Sequence, residues 1–231
     1  MAAHRNLLLV PGLLCTADLF APQIADFGEE IRCVVADHRR ADSIPAIASG
    51  ILEEAPSTFA LAGLSMGGYL SFEILRQAPD RVEALILLDT SARGETEAQT
   101  ARRHELIELA RAEGIDPVIE QLLPYFVDED NVVRLRDTVV KMARDTGVDA
   151  FVRQETAIAS RVSSLEMLPQ ILCPTTVIVG GRDRLTAPEV NQEIADNVPG
   201  AEYYRIDRCG HLSTLEAPAR VNEIMRHALR L

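Results

Sequence analysis

The chain has 231 residues, of which 47% are hydrophobic, 25% charged and only 4% aromatic, with a formal net charge of −12. That length and apolar content suit one globular domain with a large core, with room for an inserted subdomain. The negative charge repels nucleic acid and anionic membrane surfaces, and Arg39-Arg40 and Arg102-Arg103 are the only short basic pairs, so neither is expected as a partner. No apolar run is long enough to span a bilayer, and the run ending at Pro11-Gly12 is too short for a signal-peptide core, so a cytoplasmic location is expected.

In chain order, strands are predicted at Asn6–Val10 and Arg32–Asp37. Ile44, Ile47, Ala48, Ile51 and Leu52 then repeat at helical spacing. A third strand follows at Thr58–Gly63, and the helix-like run from Gly68 to Gln77 stops before Pro79. A fourth strand is read at Val82–Asp89. Continuous apolar strands separated by helices indicate an α/β fold with a parallel sheet covered on both faces. Pro11-Gly12-Leu13-Leu14 lacks the G-x-G-x-x-G that lets a pyrophosphate approach, so a dinucleotide-binding domain is disfavoured.

Between Ser91 and Gln170 the pattern is helical only, roughly Glu95–Glu113, Pro117–Phe126, Asn131–Thr146 and Ala150–Ser160. This stretch, residues 91–170, reads as a helical cap inserted between two strands of a core built from residues 1–90 and 171–231. Strands return at Thr175–Val179 and Ala201–Ile206, around a helix at Pro188–Asn197, and a last helix begins near Pro218. Glu216, just ahead of it, is read as a cap or dipole partner.

Gly63-Leu64-Ser65-Met66-Gly67 carries the chemistry. A G-x-S-x-G between a buried strand and a helix is a nucleophile elbow, a strained turn that lifts the serine hydroxyl clear of the sheet edge. The amide of Met66 then opens a helix and points at whatever Ser65 attacks. A serine hydroxyl needs a base, and the base needs an orienting group. His211 follows the last strand behind Cys209-Gly210, whereas His4, His38, His104 and His227 lie in less suitable places. Asp183 follows Gly180-Gly181 after a β-branched run and is the preferred acid. Asp89, also at a strand's carboxyl end, is the rival, with loop hydrogen bonding as its alternative role.

From Leu7-Leu8-Leu9-Val10-Pro11-Gly12 through Gly63–Gly68 and Gly181-Arg182-Asp183 to Gly210-His211, the chain resembles an α/β-hydrolase of the small capped carboxylesterase and lactonase-like branch. The resemblance implies a Ser65–His211–Asp183 triad and an oxyanion hole made by the backbone N–H groups of Leu13 and Met66. Many relatives carry His-Gly where Pro11-Gly12 stands, so the contact made by that histidine is expected to be lost here. The antiparallel strands that open larger relatives are not expected.

The implied reaction is acyl transfer to water with no metal or organic cofactor. Leu13, Leu14, Met66 and Leu212 are expected to face a mainly apolar pocket, which favours a small uncharged ester. Arg93, Arg153, Arg161, Arg182 and Arg184 could meet an anion, but a surface role is expected for each. Cys15 and Cys209 are expected near the pocket, which predicts sensitivity to thiol reagents without a catalytic thiol. The same fold also runs C–C bond hydrolysis, perhydrolysis and hydroxynitrile cleavage, and serves as a non-catalytic binding scaffold, so fold alone does not choose among them.

Overall fold

Six strands form one parallel sheet in the order β2-β1-β3-β4-β5-β6, in a computed structural model that describes residues 6–231 and leaves His4 outside them. The strands are β1 (Asn6–Val10), β2 (Arg32–Val35), β3 (Phe59–Leu64), β4 (Val82–Leu88), β5 (Thr175–Gly180) and β6 (Glu202–Ile206). The inner strands β3 and β5 are buried along their whole length, while the edge strands β2 and β6 are mostly half-buried or exposed. Burial on both faces explains why the inner strands read as unbroken apolar runs. Each leucine placed there, such as Leu8, Leu61 or Leu85, stabilises the fold by roughly 1.5–3 kcal/mol.

Helices cover the sheet. α2 (Ile44–Glu54) buries Ile44, Ile47, Ala48 and Ile51 and packs on α3 (Met66–Gln77), which lies on β1 and β3. α1 (Ala21–Phe27) packs on α9 (Pro218–Leu229), which lies on β4 and β5. α7 (Pro188–Asn197) packs on β5 and β6. Two short helices, α1 and α8 (Ser213–Glu216), have too few residues to show a periodic pattern in the sequence.

Between β4 and β5 the described chain is helical, as the sequence pattern indicates. α4 (Glu97–Glu113) starts with a capping box between Thr96 and Gln99, and α5 (Ile115–Phe126) follows Gly114 directly. α6 (Val132–Ala159) is broken at Gly147, whose φ of 75° accounts for the two separate helical segments read in the sequence. These three helices pack on one another. Among the described residues no helix is long and apolar enough to cross a membrane.

β1 has β2 on one side and β3 on the other, so the chain reverses its direction of winding there. The loops after β1 and β3 flank this switch point, the usual crevice for ligands in open α/β sheets.

Candidate active site

Ser65 stands between β3 and α3 with φ 56° and ψ −113°. This backbone is one that L-residues rarely adopt and costs on the order of 1–3 kcal/mol. Its surroundings hold it. The Ser65 amide donates to the Leu88 carbonyl at 2.9 Å, and the Ser65 carbonyl accepts from the Gly68 amide at 2.9 Å and from the Thr90 hydroxyl at 2.8 Å. The flanking glycines are required by close approach. A Cβ on Gly67 would run into the Val10 carbonyl oxygen, and one on Gly63 into the Gly67 carbonyl. Met66 is the first residue of α3, where an amide has no acceptor within its own helix.

Asp183, three residues past β5, and His211, five past β6, meet over the same sheet edge. His211 Nδ1 lies 2.8 Å from Asp183 Oδ2, and both side chains are buried. Asp183 Oδ1 accepts the amides of Leu185 at 2.8 Å and Thr186 at 3.0 Å, and Oδ2 also accepts the Thr186 hydroxyl at 2.7 Å. Burial works to raise the Asp183 pKa, but His211 and the Thr186 hydrogen bonds outweigh it and hold the carboxyl below its usual range. For His211, burial favours the neutral ring, yet the charge and hydrogen bond of Asp183 leave its pKa above the ordinary imidazole value.

The His211 loop is fastened to the end of α5. Leu212 N–H donates to the Phe126 carbonyl at 3.1 Å, and the Phe126 ring stacks on the imidazole with centroids 6.1 Å apart. Glu216 does not cap the last helix, whose N-cap is Ala217, but lies in the first turn of α8 and bonds the amide of the residue that opens it. Its Oε2 accepts the Asp128 amide at 3.0 Å and Asn131 Nδ2 at 3.1 Å, and its Oε1 accepts the Leu212 amide at 3.2 Å. Asp89, with φ 45°, accepts the Gly180 amide at 2.7 Å and the Ser213 hydroxyl. Burial, then repulsion from Asp183, raises its pKa well above the usual carboxyl range.

A cavity of about 390 Å³ opens over Ser65, lined by Leu13, Tyr69, Leu106, Leu122, Phe126 and Ile158 among others, and by Thr186, which touches the acid. Leu14, Leu212 and the side chain of Met66, expected in this pocket, are not part of its lining. Leu14 has φ 60° and packs into the core, and Leu212 is drawn inward as the residue that opens α8. Cys15 and Cys209 are likewise away from the cavity and buried, and burial pushes the Cys15 thiol up to about 12 and Cys209 higher still.

Arginines enter where an apolar pocket was expected. Arg93, Arg102, Arg103 and Arg161 all line the cavity, together with Glu155. Arg161 is not a surface residue: its side chain is 6% exposed, its guanidinium lies 4.2 Å from the Tyr69 ring centroid, and it pairs with Glu95. Arg103 bridges Glu95 at 3.1 Å and Glu155 at 2.6 Å. Of the other arginines weighed as anion partners, Arg153 donates to the Arg39 carbonyl, and Arg182 pairs with Asp128 and Asp130. Glu95, Arg103 and Glu155 carry no sequence motif, and only folding of the helical segment gathers them.

The loop after β1 has supports that the sequence did not show. Cys15 N–H donates to the Gly12 carbonyl at 3.1 Å, and Leu14 N–H donates to Gln154 Oε1 at 3.2 Å. His38 Nε2 lies 2.9 Å from both the Gly12 carbonyl oxygen and Gln154 Nε2. A histidine from the end of β2 therefore contacts the loop, although the position before Gly12 is a proline. Among the described residues no group of three or more His, Cys, Asp or Glu is placed to hold a metal ion.

The model of the alpha/beta hydrolase family matches residues 7–224. A thermophilic esterase from Thermogutta terrifontis, solved with malate bound, superposes with a TM-score of 0.91 at 28% identity, covering 100% of this chain and 91% of the other. A 2-hydroxy-6-oxononadienedioate/2-hydroxy-6-oxononatrienedioate hydrolase of Burkholderia vietnamiensis is 28% identical over 206 residues, 85% of this chain and 71% of that protein. A pimeloyl-[acyl-carrier protein] methyl ester esterase of Chromobacterium violaceum is 24% identical over 178 residues, 72% of this chain and 68% of that protein.

Proposed function

We propose that this chain, which belongs to the alpha/beta hydrolase family, hydrolyses a carboxylic ester through an acyl-enzyme formed on Ser65. The observation that carries the reading is the buried His211–Asp183 hydrogen bond at the sheet edge where the strained Ser65 elbow opens into a cavity.

In this mechanism neutral His211 takes the Ser65 proton through Nε2 as the hydroxyl attacks the ester carbonyl. Asp183 holds the ring by Nδ1 and stabilises the imidazolium that forms. Charge developing on the carbonyl oxygen is met by the Leu13 and Met66 amides, each such donor being worth about a hundred- to thousandfold in rate. The imidazolium then protonates the leaving alcohol, and water repeats the cycle on the acyl-enzyme. The helices between β4 and β5 act as a cap, since α4, α5 and α6 supply Leu106, Leu122, Phe126 and Ile158 to the cavity.

The lining suits an ester with an apolar body and one anionic end. The apolar lining is Leu13, Leu106, Leu122, Phe126 and Ile158. The guanidinium groups at the cavity are those of Arg93, Arg102, Arg103 and Arg161, which pair with Glu193, Glu105, Glu95 and Glu155 until an anion competes for them. The same arginines support a second reading, C–C bond cleavage beside a ketone, because the dienedioate named for the Burkholderia relative is a dicarboxylate that carries no ester.

The test is treatment with a serine-directed fluorophosphonate followed by intact-mass and peptide mapping, with turnover of nitrophenyl butyrate alongside. Labelling at Ser65 and loss of turnover in Ser65→Ala are expected. An unlabelled Ser65 in folded protein would overturn the nucleophile. Product identification from methyl esters, lactones and oxo-dienedioates separates the two reactions.

A further inference from the structure

We infer that Gln154 is a positioning residue for the oxyanion hole: reaching from α6 into the loop after β1, it holds the backbone that carries the Leu13 amide, so that the hole is complete only when the helical segment is seated. This rests on the Ser65 acyl-enzyme reading.

In a trans peptide the C=O and N–H point in opposite directions within one plane, so fixing the Gly12 carbonyl also fixes where Leu13 N–H points. That carbonyl is held by Cys15 N–H at 3.1 Å and faces His38 Nε2 at 2.9 Å. The next peptide is fixed by its own amide, because Leu14 N–H donates to Gln154 Oε1 at 3.2 Å. Both peptide planes adjoining the Leu13 α-carbon therefore have a partner, and one of those partners lies 140 residues away in sequence.

Leu14 needs such an anchor. Its φ of 60° is a conformation that a leucine keeps only when its surroundings over-determine it. Gln154 is fully buried, so water is not at hand to replace its oxygen. The amide orientation of Gln154 is itself set. With Oε1 committed to Leu14, Nε2 faces the His38 ring nitrogen at 2.9 Å. That nitrogen can accept from Gln154 or donate to Gly12, one at a time, and in either state the ring is wedged between the loop and the glutamine. Burial keeps the ring neutral by lowering its pKa to about 4, so this support persists across the working pH range.

The experiment compares Gln154→Met, which keeps the length and loses the acceptor, with Gln154→Glu, which keeps the acceptor. For each, kcat and KM are measured on nitrophenyl butyrate and on its thionoester, with thermal melting alongside. A thionoester sulfur gains less from amide donors than an oxyanion, so the ratio of oxo- to thionoester turnover reads the hole. For Gln154→Met the expected result is a fall in kcat of about tenfold or more, KM within about twofold, and a lower oxo-to-thiono ratio. Gln154→Glu should recover most of the loss. If Gln154→Met does not fold, Gln154→Asn, one methylene short of Leu14, carries the same expectation. A variant that melts earlier but keeps the wild-type kcat and ratio would overturn the inference and leave the glutamine a packing residue. Wild-type protein that fluorophosphonate labels at Ser65 keeps the ester reading whatever these variants do, and an unlabelled Ser65 overturns both.

Discussion

Asp183 and Asp89 follow neighbouring strands, yet only Asp183 bonds the His211 ring, at 2.8 Å. Asp89 turns instead to the Gly180 amide and the Ser213 hydroxyl. Two buried carboxyls near each other do not ionise together, and the one paired with the imidazole keeps the charge. Burial and the Asp183 charge drive Asp89 toward its protonated form, while His211 and Thr186 keep Asp183 ionised against its own burial. Asparagine is thus a close substitute for Asp89 and a poor one for Asp183. Turnover should fall by several orders of magnitude in Asp183→Asn and stay within about tenfold in Asp89→Asn. Steady-state kinetics on one ester decides it, and the reverse ranking would move the acid to Asp89.

The pH profile follows from the His211 environment. A base must be neutral to accept the Ser65 proton, and the Asp183 carboxylate raises the His211 pKa despite burial. The kcat/KM of a neutral ester should therefore rise with pH through a midpoint above the ordinary imidazole value of about 6.5. A flat profile between pH 5 and 9 would exclude His211 as the base.

Gly67 links fold to chemistry. A side chain there strikes the Val10 carbonyl, the last residue of β1 before the loop that carries Leu13. Overpacking of this kind costs about 1–3 kcal/mol, which lowers the melting temperature of a chain this size by several degrees. Gly67→Ala should melt earlier and also lose kcat, because relief of the clash moves the oxyanion loop. Unchanged melting and turnover would mean that α3 does not need its close approach to β1.

How much of this was readable in advance depends on how local each signal is. The strands read at Asn6–Val10 and Thr175–Val179 and the elbow at Ser65 rest on continuous apolar runs and on adjacent glycines, which are local signals. Asp183 is local too, since its Oδ1 takes amides two and three residues on, the turn habit of an aspartate. Leu14 failed as a pocket residue because a left-handed φ reverses where its side chain points, which sequence spacing does not reveal. His38, Gln154, Glu95 and Arg103 act through contacts with residues up to 140 positions away, and no short motif marks them.

The cysteines give a negative expectation. Cys15 and Cys209 are 2% and 1% exposed, and burial holds the Cys15 thiol at about 12, so neither offers a thiolate near neutral pH. Iodoacetamide at pH 7.5 should leave turnover unchanged while labelling the half-buried Cys33 and Cys173 slowly. Rapid inactivation with alkylation at Cys15 or Cys209 would mean that the loops beneath the cavity open readily.

The arginines make substrate charge the sharpest remaining expectation. Arg161 is nearly buried against Tyr69, pairs with Glu95 and reaches the cavity. Arg161 and Arg103 share Glu95, and Arg103 also pairs with Glu155, which lines the same cavity. A carboxylate on the substrate would compete with these glutamates for the two guanidinium groups from within the cavity. A charged hydrogen bond in such a place is worth about 1.5–3 kcal/mol, or roughly ten- to hundredfold in binding. Nitrophenyl esters of a dicarboxylic acid should therefore show a lower KM than neutral esters of equal length, and Arg161→Gln should raise that KM by about tenfold or more. The neutral ester should change by no more than about threefold. Equal KM values for the two esters in the wild-type protein would assign the four arginines to holding the helices together instead.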